Sequence, residues 1–192
     1  VFNWAKVSEG LEIHTDGDLP ARSGLGSSSS FTVGLIKALQ GHKGIMIDNE
    51  TLANNAIHIE QDLIKENVGS QDQISATYGG FNRIAFNRDR SFSVAPVIIP
   101  GSRRNELSDH LMLFFTGVTR IASSIAKEQI ENLSKRQTEL KLMYEMVDEA
   151  VSILKNNNIS INEFGKLLDL SWHYKRKISN RISTQLIDEI YD

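Results

Sequence analysis

The 192-residue sequence carries 24 acidic and 21 basic side chains, a net charge of −3, 40% hydrophobic residues and no cysteine. This length fits one domain or two small ones sharing an interface. The balanced charge leaves no electrostatic footprint for nucleic acid or an anionic membrane. The absence of cysteine excludes disulfides and thiolate metal sites and fits a cytoplasmic protein.

In chain order, Val1 is not a natural start and Asp192 stops inside a helical pattern, so a piece of a longer protein is expected. "GLEIHTDGD" (10–18) alternates Leu11, Ile13 and Thr15 against polar neighbours and predicts a strand. His14, Asp16 and Asp18 alternate there too. They raise a metal site, but they read better as edge polarity. "DLPARSGLGSSSS" (18–30) follows, rich in glycine and hydroxyls. From Ser27, residues Phe31, Leu35, Ile36 and Leu39 recur at helical spacing to about Gln40, where Gly41 and Gly44 end the helix. A second helix is predicted in "DNETLANNAIHIEQDLIKEN" (48–67), from cap-competent Asp48 or Asn49 through Leu52, Ala56, Ile59 and Leu63. "VGSQDQISATYGG" (68–80) reads as a loop, a short helix and a glycine turn. "FNRIAFN" (81–87), "FSVAPVIIP" (92–100) and "HLMLFFTG" (110–117) predict strands, the last continuous enough in apolar residues to be buried. A long helix is expected from Thr119 to about Asn156, then two shorter ones near 160–171 and 183–191. Mixed strands and helices followed by a helical half predict an α+β fold. "WHYKRK" (172–177) reads as a helix end whose cations complement the dipole, not as a nucleic-acid patch.

The glycine-serine stretch precedes an apolar helix, which argues against a linker. A helix N-terminus presents unpaired N–H groups and the positive end of its dipole, and glycines let the backbone approach a phosphate. Two common phosphate loops are excluded. No Lys-Ser or Lys-Thr follows the glycines, so the P-loop pattern fails, and Ser29 stands where a dinucleotide fingerprint needs its third glycine.

Two carboxylates stand out downstream. Glu60 shares the helix face of Ala56 and Leu63, and a carboxylate on an apolar face needs a partner. Asp72 opens the next short helix, where the dipole welcomes an acidic side chain. Taken alone, Glu60 is a surface charge and Asp72 a helix cap. Thr116-Gly117 with Arg120 closes the third strand and starts the long helix, either as a plain turn with a solvated arginine or as an anion contact.

Pro20-Ala21-Arg22-Ser23-Gly24-Leu25-Gly26-Ser27-Ser28-Ser29 resembles the P-x-x-x-G-L-G-S-S-A/S loop of the GHMP kinases, a family that includes galactokinases, homoserine kinases and mevalonate kinases. Gly69-Ser70-Gln71-Asp72-Gln73, with Glu60 twelve residues before Asp72, resembles the segment in which GHMP sugar kinases carry a metal-ligating Glu and a catalytic Asp. Thr116-Gly117 and Arg120 resemble a further T-G-x-x-R-x-A segment of the sugar-phosphate members.

The resemblance implies a GHMP kinase fold, a ribosomal-protein-like N-terminal part (1–100, ATP-binding) followed by a ferredoxin-like, helix-rich C-terminal part (101–192). Both parts are expected to be incomplete. The family's opening P-x-R-x-x-x-x-G-G-x-T-D-like strand and closing G-x-G-x-G-G loop are absent from these residues. It further implies ATP held by Pro20, Ser23, Gly24, Leu25, Gly26, Ser27, Ser28 and Ser29. Mg²⁺ is implied on Glu60 with Ser27 or Ser28, and Asp72 is implied as the catalytic group. Thr116, Gly117 and Arg120 are implied as substrate residues, with Arg120 either on a phosphate of the acceptor or supporting the nucleotide side. Within the family, the three segments look most like the kinases of D-glycero-D-manno-heptose 7-phosphate, which act on the anomeric hydroxyl, with fucokinase-type domains next. A fucose or galactose kinase is the alternative, and a catalytically silent homologue that binds sugar or nucleotide is another. The implied partner is a small sugar or sugar phosphate, with no nucleic acid or membrane, and a homodimer is left open.

Overall fold

A computed structural model gives the fold and describes residues 1–18, 24–114, 116 and 130–192. The described residues divide into two compact units, Val1–Ser93 and those from 94 onward.

The first unit is built around one long helix. A single helical turn, α1 (Phe2–Ala5), ends in left-handed Lys6. Helix α2 (Ser27–His42) starts at Gly26 and buries Ser29, Thr32, Val33, Leu35, Ile36 and Leu39. Phe31, expected inside, is 51% exposed. The inward face runs in steps of four and three through Ser29, Val33 and Ile36, which carries Phe31 to the outside. Helix α3 (Asn49–Ile57) is capped by Asp48, whose carboxylate accepts from the Thr51 N–H at 2.8 Å and the Thr51 hydroxyl at 2.7 Å. Val33 and Ile36 pack against Leu52, Ala56 and Ile59. Leu35 and Leu39 pack against Ala5, and Trp4 touches both clusters. Each such fully buried Leu or Ile contributes about 1.5–3 kcal/mol, so the start of α2 is fixed by its own core face.

Past Ile57 the helix widens into a single π turn, His58–Leu63. The Ile64 N–H donates to the Ile59 carbonyl and the Glu66 N–H to the Glu60 carbonyl, both at 2.9 Å. The wider turn brings the consecutive residues Ile59 and Glu60 inside and leaves Leu63 53% exposed. The expected face Ala56–Glu60–Leu63 assumed 3.6 residues per turn, and the π turn breaks that period. Helix α4 (Gln71–Tyr78) follows and ends at Gly79, whose φ of 60° suits glycine. Strands β1 (Asn82–Phe86) and β2 (Phe92–Pro96) pair as a two-stranded sheet, matching the two predicted strands in order. Residues 11–17 form no strand and are largely exposed. A strand needs a ladder, and among the described residues none pairs with them.

Past the end of β2, the regular structure described in the second unit is helical: α5 (Gly101–Asp109), a 3₁₀ turn (Leu133–Lys135), α6 (Gln137–Lys155), α7 (Asn162–Ile178) and α8 (Gln185–Tyr191). Met146 and Ile153 of α6 pack on Leu167 of α7, joined by Phe164 and Tyr174. Helix α5 escapes a hydrophobic-period search because its sequence is polar and its one buried residue is Arg103. The Arg103 guanidinium donates to the carbonyls of Ile153 (2.8 Å) and Ile159 (2.7 Å) and to Glu106 (2.8 Å), closing the end of α6.

Two further expectations are corrected here. Leu111, Met112, Leu113 and Phe114, read as a buried strand, have no regular structure and are 54–82% exposed. A buried strand needs ladder partners and a layer on each face, and the described helices of this unit supply neither. The long helix to Asn156 is interrupted at Leu133–Lys135 without glycine or proline. Asn132 there donates its side-chain amide to the Ile178 carbonyl at 3.0 Å, which ties the interruption to the end of α7. The basic end of α7 behaves as expected. Lys175, Arg176 and Lys177 lie in its last turn, and Arg176 pairs with Asp188 at 3.0 Å over the Trp172 ring. Among the described residues no helix is long and apolar enough to cross a membrane.

Candidate active site

The site assembles around the N-terminus of α2. Gly26 caps it with a φ of 70°, a left-handed conformation that costs any other residue free energy. No acidic side chain of α2 itself lies in the first turn, so its own sequence leaves the N–H groups and the positive dipole end free for an anion. Gly24 also has positive φ, and Leu25 is exposed. Ser27 is half-buried and Ser28 exposed. Pro20 and Ser23 lie outside the described residues.

Asp72 reaches this terminus from α4. It is solvent-exposed in the first turn, while Ser70 occupies the cap position. Its carboxyl group lies so close to Gly26 that a Cβ on that glycine would sit 3.2 Å from Asp72 Cγ and 3.3 Å from Oδ2. Gln61 holds the intervening loop. Its Nε2 donates to the Val68 carbonyl and to Ser70 Oγ, each at 3.1 Å, tying the start of α4 to the π turn.

Glu60 approaches from beneath. It is 1% exposed, and Ser29 Oγ donates to its Oε2 at 2.9 Å. Gln73, fully buried on α4, donates Nε2 to the same oxygen. Glu60 Oε1 is equally buried and has no hydrogen-bond partner among the described residues. A buried carboxylate oxygen without a donor is costly, and a cation or its water would satisfy it. The donor set therefore fits a hard divalent cation.

The sequence reading names Ser29 for the ATP loop but not for Glu60, and it assigns no role to Gln73 or Gln61. The hydroxyl that meets Glu60 is that of Ser29, and stepping back four from Val33 along the buried face would have found it. Gln73 follows from the same exercise, one residue before buried Ile74 on α4. Nothing in the sequence flags Gln61. His14 pairs with Glu12 at 2.9 Å and His58 with Asp62 at 2.8 Å. Thr116 is half-buried in the second unit, and Gly117 and Arg120 lie outside the described residues.

Residues 2–80, which contain the helix start, Glu60 and Asp72, match the model of the GHMP kinases N terminal domain. These residues form a GHMP kinase N-terminal domain. The chain is 30% identical over its whole length to a D-glycero-alpha-D-manno-heptose 7-phosphate kinase of Campylobacter jejuni, of which it spans 56%. It is 25% identical, over 96% of its length, to a bifunctional fucokinase/GDP-fucose pyrophosphorylase of Arabidopsis thaliana, spanning 18% of that protein. Its fold superposes on the crystal structure of a D-glycero-D-manno-heptose 1-phosphate kinase from Bacteroides thetaiotaomicron with a TM-score of 0.59 and 27% identity. That match covers 83% of this chain and 46% of the other. The chain thus spans about half the length of these heptose-phosphate kinases and less of the bifunctional protein.

Proposed function

We propose that this chain belongs to a sugar kinase that transfers the γ-phosphoryl group of ATP to the anomeric hydroxyl of a heptose 7-phosphate-like sugar in the cytoplasm. The observation that carries the reading is the meeting of Asp72 with Gly26 at the start of α2. An anion-attracting helix terminus beside an exposed carboxylate supplies two of the parts that phosphoryl transfer to a hydroxyl uses, a phosphate cradle and a group to orient the acceptor. The heptose choice rests on the 30% identical relative.

In this reading the backbone amides from Ser23 to Ser29 cradle the ATP phosphates. Glu60, through its unpartnered oxygen, and Ser27 or Ser28 hold Mg²⁺, while Ser29 is committed to Glu60. Among the described residues no three His, Asp or Glu side chains cluster. The cation would therefore share its shell with phosphate oxygens, as Mg²⁺ commonly does. Bound there, it would offset the phosphate charge during transfer. Asp72 orients the sugar hydroxyl or takes its proton for in-line attack on the γ-phosphorus. By resemblance, Thr116, Gly117 and Arg120 are assigned to the substrate, with Arg120 contacting a phosphate on the acceptor or supporting the nucleotide side.

A coupled ADP-release assay on the protein at its natural length, with a panel of sugars and sugar phosphates, tests the reading. Heptose 7-phosphate should turn over fastest. Fastest turnover of fucose or galactose would favour the second reading, supported by the fucokinase relative. No sugar-dependent ADP release would refute both and leave a silent binding protein.

A further inference from the structure

We infer that Gln73 and Ser29 are positioning residues that make Glu60 a one-oxygen ligand, and thereby set the site's preference for Mg²⁺ over larger divalent ions. The inference rests on the reading of Glu60 as a cation ligand. It adds which oxygen binds and what fixes it.

Ser29 Oγ on α2 and Gln73 Nε2 on α4 come from different helices and converge on the same oxygen, Oε2. All three side chains are at least 95% buried. Thirty-one residues separate Ser29 from Glu60, and thirteen separate Gln73 from it, so the tertiary fold sets the arrangement. Two donors on one oxygen lock the carboxylate's rotation and occupy that oxygen's lone pairs. The other oxygen, Oε1, is left without a partner among the described residues. A carboxylate so held offers one oxygen in one direction. Mg²⁺ demands near-octahedral geometry and takes such single-oxygen ligands, whereas Ca²⁺ accepts flexible and two-oxygen carboxylates. Freeing Oε2 should therefore cost Mg²⁺ more than Ca²⁺. Partners that orient a ligand are typically worth 10–100-fold in metal affinity.

The test titrates ADP into the purified protein by calorimetry, in EDTA, in Mg²⁺ and in Ca²⁺, and reads the gain in affinity that each metal gives. Glu60→Gln should abolish the Mg²⁺ gain. Gln73→Met, close in volume but without the amide, and Ser29→Ala should each lower the Mg²⁺ gain by about tenfold and lower the Ca²⁺ gain less. Ser29→Thr, which keeps the hydroxyl, should restore the preference. If Glu60→Gln leaves the Mg²⁺ gain intact, the cation reading itself fails. If Glu60→Gln abolishes it while Gln73→Met and Ser29→Ala keep the wild-type Mg²⁺-to-Ca²⁺ ratio, only the positioning inference is overturned. Equal loss of both gains in these two variants overturns it as well, because mere loosening of the core would act on both ions alike. Should Gln73→Met melt below the assay temperature, the Ser29→Ala and Ser29→Thr pair decides alone.

Discussion

Replacing Gly26 by alanine burdens the site in two separable ways. The first is backbone strain. Gly26 sits at a φ of 70°, and an L-residue there costs about 1–2 kcal/mol. For a protein of this size that lowers Tm by roughly 2–8 °C. The second is contact. The new methyl would lie 3.2 Å from Asp72 Cγ and 3.3 Å from Oδ2, so the carboxylate must retreat by a few tenths of an ångström. Gly24 provides the matched control. Its φ is 80°, yet a Cβ there meets nothing within 4 Å. Gly24→Ala carries the strain without the push. Both variants should melt lower and bind ATP more weakly. Only Gly26→Ala should also lose kcat, by about tenfold or more, since displacement of a catalytic group by as much as 1 Å costs on the order of a hundredfold. The assay is coupled ADP release at saturating ATP and sugar, beside a thermal melt. Equal kcat in the two variants would refute the argument that the loop and Asp72 work in contact.

Asp72→Asn should lower turnover by orders of magnitude with little change in ATP affinity, and unchanged turnover would remove Asp72 from the chemistry. Arg103→Met leaves the Ile153 and Ile159 carbonyls without their charged donor. It should cost about 2–4 kcal/mol, read by denaturant titration, and a loss under about 0.5 kcal/mol would deny the residue its role in closing α6. The Thr51 N–H and hydroxyl hold the Asp48 carboxyl below its usual value. A lowered folded-state pKa means that this stabilisation is present above the unfolded value of 3.8 and is lost as pH falls through the folded one. Wild type should therefore out-melt Asp48→Ala at neutral pH and the gap should close in acid; a gap that widens in acid would contradict the cap.

What the sequence disclosed depended on how local the causes were. The start of α2, the Asp48 cap, α4 with its glycine turn and the β1–β2 pair rest on neighbours a few residues away, and all are legible. The pairing of Glu60 with a loop serine is only half legible. Its helix and its need for a partner can be read, but the choice of Ser29 requires the inward face of α2, which Phe31 obscured. Residues 11–17 and 111–114 show the converse. Both carry strand patterns, yet a pattern becomes a strand only against a partner. Arg103 could not be found at all, because its acceptors lie 3 to 56 residues away and a polar helix advertises no buried face.

The π turn ties two histories together. Ile59 and Glu60 are joined by one peptide bond, and one packs against Leu52 and Val33 while the other points at Ser29 and Gln73. A change in the size of the residue at 59 would therefore be felt by the carboxylate next to it. Core packing and the proposed cation ligand are mechanically joined through one peptide unit, with no loop between them to absorb a shift.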